Sequence, residues 1–266
     1  MTAVSSFLQR RSFSLGALYF GLFTLFMYLP IVLLILFSFN DSATLTFPLK
    51  GFTFKWYAAL AESKELVTAV TNSLLVGVLS SLVATVLGTM AAIGVVRFDF
   101  PGKSLFLSVA AMPMVIPAVV MGVAMLIVFA RVGIPLTLWT VGIGHVILNV
   151  PYTMLIVAAR LAGFEPHVEE AAMDLGADYW NTMWRVTLPM SAPALGAAFL
   201  SSFTTSFDEF AVTFFLVGSQ TTLPIYLYSQ LRFPSRLPLV VTLAAIMMIL
   251  SILIVVIIEK LRRMTN

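Results

Sequence analysis

The segment Glu169-Glu170-Ala171-Ala172-Met173-Asp174-Leu175-Gly176-Ala177-Asp178, continued by Trp180 through Leu188-Pro189, interrupts a chain that otherwise avoids water. Apolar stretches flank it at about Leu15–Phe39, Thr71–Val95, Leu105–Phe129 and Thr137–Ala159 on one side, and Ala192–Val217 and Leu237–Ile258 on the other. Each is long enough for the roughly 20 residues that a helix needs to cross a bilayer core. The expectation is an all-α membrane protein with six transmembrane helices. A spanning domain over residues 15–259 contains a polar loop at 160–190, with tails at 1–14 and 260–266. The first stretch follows Arg10-Arg11 but is too long for a secretory signal and lacks a clean small-x-small cleavage site, so it reads as a retained span.

Composition agrees. The 266 residues are 60% hydrophobic and 10% charged, whereas soluble domains carry about 25% charged residues. The chain has no cysteine, which excludes disulfides, thiolate metal sites and thiol nucleophiles. His145 and His167 are too far apart in sequence to form a zinc site alone. The net charge of +3 comes without a basic block, which argues against nucleic acid. Fourteen scattered methionines read as packing filler.

An even number of spans places both termini on one side. If that side is cytoplasmic, Arg10, Arg11, Arg97, Lys103, Arg160, Arg185, Lys260, Arg262 and Arg263 face it, and six basic residues lie opposite. The bias at the two ends favours cytoplasmic termini and puts the polar loop in the cytoplasm. Pro113 and Pro117 are expected to interrupt the third span and Pro151 the fourth, because each removes a backbone donor. Small residues along 77–94 and 192–202 suit close helix packing. Outside, Phe52, Phe54, Trp56 and Tyr57 fit an interfacial belt, with a short helix expected within Gly51–Leu60.

Within the loop, Pro166 and Glu169 fit a first helical turn. Glu170, Asp174 and Asp178 recur at four-residue spacing, Gly176 permits a bend, and Asp178 is placed to cap a second helix. A helix resting on the membrane surface should be rich in lysine and arginine. This one is mostly acidic, which favours a protein partner.

At this point the wording is informative. Glu170-Ala171-Ala172, Gly176 and Val186-x-Leu188-Pro189 resemble the EAA loop of permease subunits in bacterial ATP-binding-cassette importers, and the resemblance covers the chain from about 15 to 259. It implies a type I (MetI-like) permease in the bacterial inner membrane. Glu170, Ala171, Ala172, Asp174, Gly176, Leu188 and Pro189 would then form the coupling segment that inserts into an ATPase. Implied partners are a second homologous permease subunit, two ATPase subunits and an extracytoplasmic substrate-binding protein, besides membrane lipids. The chain has no phosphate-binding glycine-lysine loop, so ATP and magnesium are expected on the ATPase subunits, no cofactor or metal on this chain, and no catalytic residue within it.

Ser206-Phe207-Asp208-Glu209-Phe210 falls inside the fifth apolar stretch. Two carboxylates there are costly unless they face water, a partner or a cation. On a continuous helix their side chains would project about 100° apart. Substrate contact and structural pairing both remain open readings. His145 and Asn149 in the fourth span, and Tyr226 beyond the fifth, are further candidates for the route. For His145 and Asn149, buried interhelical hydrogen bonding is the stronger alternative.

Together with Phe37-Ser38-Phe39-Asn40, Asn72-Ser73-Leu74, Thr221-Thr222-Leu223-Pro224 and Gln230–Pro234, this stretch resembles the spermidine/putrescine permease subfamily, specifically its C-type subunit. That resemblance implies an organic cation as cargo. Importers of ferric iron, opines or phosphonates share parts of the pattern. An ion-coupled secondary transporter lacks its paired broken-helix repeats here, and an intramembrane hydrolase lacks a Ser/His/Asp set or a metal cluster.

Overall fold

The computed structural model describes residues 2–42, 44 and 46–263, with side-chain surroundings described outside 2–14, 166, 258 and 261–263. The side chains of Arg10, Arg11, Arg262 and Arg263, used above to orient the spans, therefore lie outside the described set.

In chain order the helices are α1 (Thr2–Ser38), α2 (Lys55–Ala61), α3 (Lys64–Arg97), α4 (Lys103–Val115), α5 (Ala118–Val132), α6 (Leu138–Ala162) and α7 (Pro166–Asp174). They continue with α8 (Tyr179–Thr182), a π-turn (Met183–Thr187), α9 (Leu188–Asp208), α10 (Ala211–Leu216), α11 (Leu223–Gln230) and α12 (Leu237–Arg263). An isolated antiparallel bridge, Asn40 to Phe52, accompanies them.

Among the described residues, five helical runs are long and apolar enough to cross a membrane: Leu15–Ser38, Lys64–Arg97, Leu138–Ala162, Tyr179–Asp208 and Pro234–Ile257. A sixth exists if α4 and α5, bent by 107°, count as one span. The bend has a local cause. A proline pushes its predecessor out of the helical region, and Ile116 accordingly adopts ψ 128° before Pro117. Pro113, by contrast, is accommodated in the last turn of α4.

Two expectations need correction. Pro151 does not break the fourth span, because α6 runs unbroken through it. The proline is buried, and packing of α6 against α3, α9 and α10 outweighs its cost of about 3 kcal/mol. The fifth span is not continuous over Ala192–Val217. It starts earlier, within the polar loop, and stops at Asp208; Glu209 has ψ 116° and α10 starts anew at Ala211.

The chain divides into two compact units, residues 1–63 with 230–249, and residues 64–229 with 250–266. In the first, Trp56 Nε1 donates to the Asn40 carbonyl at 2.9 Å, the Lys50 amide donates to Asn40 Oδ1 at 3.0 Å, and Lys55 pairs with Asp41. Tyr57 stacks on Phe39 and its hydroxyl meets Ser38 Oγ at 2.7 Å. These contacts fold the segment after α1 back on itself and place the short helix at Lys55–Ala61, somewhat later than expected.

The second unit carries the candidate site. Its centre is the packing of α3 on α6 and α9. Small residues allow that approach: Ala84 and Ala92 are fully buried, and a Cβ at Gly88 would collide with Thr153 and stand 2.8 Å from the Met154 amide. Thr153 uses the closeness to donate its hydroxyl to the Ala84 carbonyl at 2.8 Å. One apolar cluster joins Val76, Met125, Phe129, Val141, Leu148, Val212 and Leu216, and another joins Ala92, Met154, Val157, Leu161 and Ala198.

Candidate functional site

The polar loop folds as two short helices around a bend. Helix α7 starts at Pro166 and carries Glu169 in its first turn. Gly176 follows with φ +92°, a left-handed backbone that a side chain would strain. Asp178 caps α8, accepting the Asn181 amide at 2.7 Å. The chain then widens into the π-turn, where the Leu188 amide donates to Met183 O. A proline cannot donate and its ring crowds the carbonyl four residues back, which for Pro189 is that of Arg185. The wide turn relieves that conflict, and the helix continues from Tyr179 to Asp208.

Leu175 (90% exposed), Trp180 (68%) and Trp184 (67%) project from this loop. Glu170, Ala171, Asp174, Gly176 and Pro189 are also exposed, while Ala172 and Leu188 are half-buried. Glu170 is within 3.2 Å of His167. An exposed surface that combines large apolar side chains with carboxylates is the kind that protein contacts cover. Sequence reading placed Glu170 among the coupling residues and took its neighbour Glu169 only as an acid of the first helical turn. That carboxylate accepts from Arg97 at 2.7 Å and from the Thr187 hydroxyl at 2.8 Å.

At the break between α9 and α10 the two acids separate. Glu209 turns inward, with a side chain 10% exposed. It accepts the Val212 amide at 3.0 Å and the Thr213 amide at 3.0 Å. His145 Nε2 stands 3.7 Å from its carboxylate and 2.8 Å from Thr213 Oγ1. The other ring nitrogen is 2.6 Å from Ser206 Oγ, which in turn meets Ser80 Oγ at 3.0 Å. Asn149, also buried, donates to the His145 carbonyl at 2.8 Å. The crevice among Ser73, His145, Ser206, Glu209, Thr213 and Thr222 has no room for a water-sized sphere. This network is therefore filled by its own side chains.

Asp208, the last residue of α9, is exposed instead, with a 3.3 Å hydrogen bond from Ser251 Oγ to its Oδ2. The expectation of two acids spaced around one helix is thus replaced by one acid inside and one outside. Tyr226 is buried (8% exposed), whereas Tyr228 is exposed and packs on Phe210 with ring centroids 5.0 Å apart. Asn72 and Ser73 hold the segment before α11, through Asn72 Nδ2 to Thr221 O and the Leu223 amide to Ser73 Oγ, both at 2.8 Å. Among the described residues there is no cluster of His, Asp and Glu able to hold a metal.

Residues 84–264 match the family described as "Binding-protein-dependent transport system inner membrane component". The chain belongs to this family. It is an inner-membrane permease component of an ATP-binding-cassette transport system. Among its relatives, the spermidine/putrescine transport system permease protein PotC of Escherichia coli (strain K12) is 34% identical over 232 residues, 87% of each chain. The putrescine transport system permease protein PotI of the same strain is 34% identical over 218 residues, 78% of this chain and 76% of that one.

Solved structures fix the fold of this permease as MetI-like. A bacterial ABC transporter importing the acidic polysaccharide alginate superposes with TM-score 0.72 at 18% identity, over 94% of this chain and 96% of the other. The MetNI methionine transporter superposes with TM-score 0.61 at 20% identity, over 76% of this permease and 96% of that chain.

Proposed function

We propose that this chain is the C-type permease subunit of an ATP-driven polyamine importer, forming half of the membrane path. The observation that carries the reading is the 34% identity across 87% of the chain to a spermidine/putrescine permease. The chemistry of the helix break supports it. Asp208 offers an uncompensated carboxylate at the end of a spanning helix, which favours passage of an organic cation over an anion. The arrangement of Glu209, already occupied by backbone donors, leaves Asp208 as the acid free to meet cargo.

In this reading both termini and the 160–190 loop lie in the cytoplasm. The loop docks into one of two ATPase subunits, with Leu175, Trp180 and Trp184 supplying apolar contact and Glu170 and Asp174 supplying charge. Closure of the ATPase pair, which holds ATP and magnesium, displaces α7, and the second permease subunit completes the path. An extracytoplasmic binding protein delivers the solute. This chain hydrolyses nothing and acts mechanically and selectively.

The test is uptake by the reconstituted complex of labelled putrescine, spermidine, glycine betaine and ferric iron. Saturable uptake of the two polyamines, with Asp208→Asn slowing it while the complex stays assembled, is the expected result. Uptake of ferric iron or betaine in preference to both polyamines would defeat the substrate assignment. Solute transport without any ATPase subunit would defeat the importer reading itself.

A further inference from the structure

Glu169 lies one residue before the Glu170–Pro189 pattern, and the docking role described above makes no use of it. Its carboxylate is nonetheless held at two points. Helix α7 buries little: none of its described side chains is buried, and Val168 and Met173 are 38% and 46% exposed. Apolar packing therefore contributes little to holding α7 against the spans. A carboxylate oxygen of α7 makes polar contacts to two other elements. Glu169 Oε1 accepts from Arg97, the last residue of α3, at 2.7 Å, and from the hydroxyl of Thr187, the last residue of the π-turn, at 2.8 Å.

The three groups are poorly hydrated. The Arg97 and Glu169 side chains are only 21% and 17% exposed, Thr187 is 1% exposed, and Arg97 Nε is buried with no acceptor. Pulling one charge of a half-buried pair away from the other leaves both without compensation. Moving α7 thus either carries α3 and α9 along or breaks a costly pair. The π-turn contributes to the geometry. An extra residue in one turn rotates the residues at its end relative to a regular helix, and Thr187 stands at that end.

We propose that Glu169 is the tie through which displacement of α7 is transmitted to α3 and α9, with Arg97 and Thr187 as its two anchors. The proposal rests on the reading of α7 as the ATPase-docking helix. Glu169 is a positioning residue, since it touches neither solute nor nucleotide.

The experiment measures solute uptake and ATP hydrolysis in the same vesicles, using the full complex with its binding protein. In Glu169→Gln, which keeps the size and one acceptor, and in Glu169→Ala, the ATP consumed per solute moved should rise about tenfold, as for loss of a charged hydrogen bond. ATPase subunits should still copurify. Thr187→Val removes one anchor and should raise the ratio by less. The exchange of Arg97→Glu with Glu169→Arg should bring it back toward the original, and a melting temperature unchanged in the single variants separates loss of the tie from a structural defect.

A wild-type ratio in Glu169→Gln and Thr187→Val with assembly intact would overturn the tie while leaving the docking helix standing. An exchange variant as uncoupled as the single ones would overturn it too. Failure of the unaltered chain to bind any ATPase would instead overturn the function on which the tie rests.

Discussion

Replacing Glu209 by alanine should destabilise the subunit far more than replacing Asp208, although the two are adjacent and chemically alike. The Glu209 carboxylate receives the Val212 amide on both oxygens at 3.0 Å, the Thr213 amide at 3.0 Å and the Thr213 hydroxyl at 3.3 Å. Val212 and Thr213 are fully buried, so water cannot take over. Each buried donor left open costs about 1–3 kcal/mol. Allowing for overlap between neighbouring donors, roughly 3 kcal/mol is lost. At about 2–4 °C per kcal/mol for a chain of this size, that lowers the melting temperature by roughly 6–12 °C. Glu209→Gln keeps one acceptor oxygen and should lose about half as much. Asp208→Ala gives up one 3.3 Å contact at an exposed position, a change within about 0.5 kcal/mol, yet it should cut polyamine uptake. The assay is thermal unfolding of the detergent-purified complex followed by size-exclusion chromatography, paired with vesicle uptake. If Glu209→Ala melted with the unaltered protein while Asp208→Ala melted early, the assignment of one structural and one path-facing acid would be wrong.

Two further outcomes follow from backbone geometry. Gly88→Val forces a side chain into Thr153 and toward the Met154 amide, so α3 and α6 must part; overpacking of this kind costs about 1–3 kcal/mol, and the yield of folded subunit on size-exclusion chromatography should fall. Gly176→Val puts a β-branched residue at φ +92°, with open space around it. It should leave the spans folded, at a local cost of about 1–2 kcal/mol, but tilt α7 against α8 and reduce copurification of the ATPase subunits.

Much of this architecture is legible in the chain because membrane burial leaves a coarse mark. A run such as 237–258 has one interpretation at its length and hydropathy, and a polar interval between spans stands out by contrast. Asp178 as a helix cap and Pro117 as a break are local effects, decided within a few residues, and both are found where the sequence puts them. Pro151 is the counterexample. Its local rule is the same as that of Pro117, but the neighbours of α6 hold the helix together.

The candidate site was legible as a set of residue types rather than as an arrangement. Spacing shows that Asp208 and Glu209 are adjacent. It does not show that the helix ends between them, because the break depends on partners within α10 and on His145 from another helix. The pairing of Glu169, read from sequence only as a first-turn acid, was missed for a similar reason. Its anchors, Arg97 and Thr187, are 72 and 18 residues away in sequence.

By itself the sequence determined the membrane class, the approximate spans, the polar loop between them and the family, since hydropathy and motif wording are properties of short windows. Only the tertiary structure decided which acid is inside, which proline breaks its helix, and what holds α7 to the bundle. Those outcomes depend on groups far apart in the chain competing for the same buried hydrogen bonds, and a linear pattern carries no record of that competition.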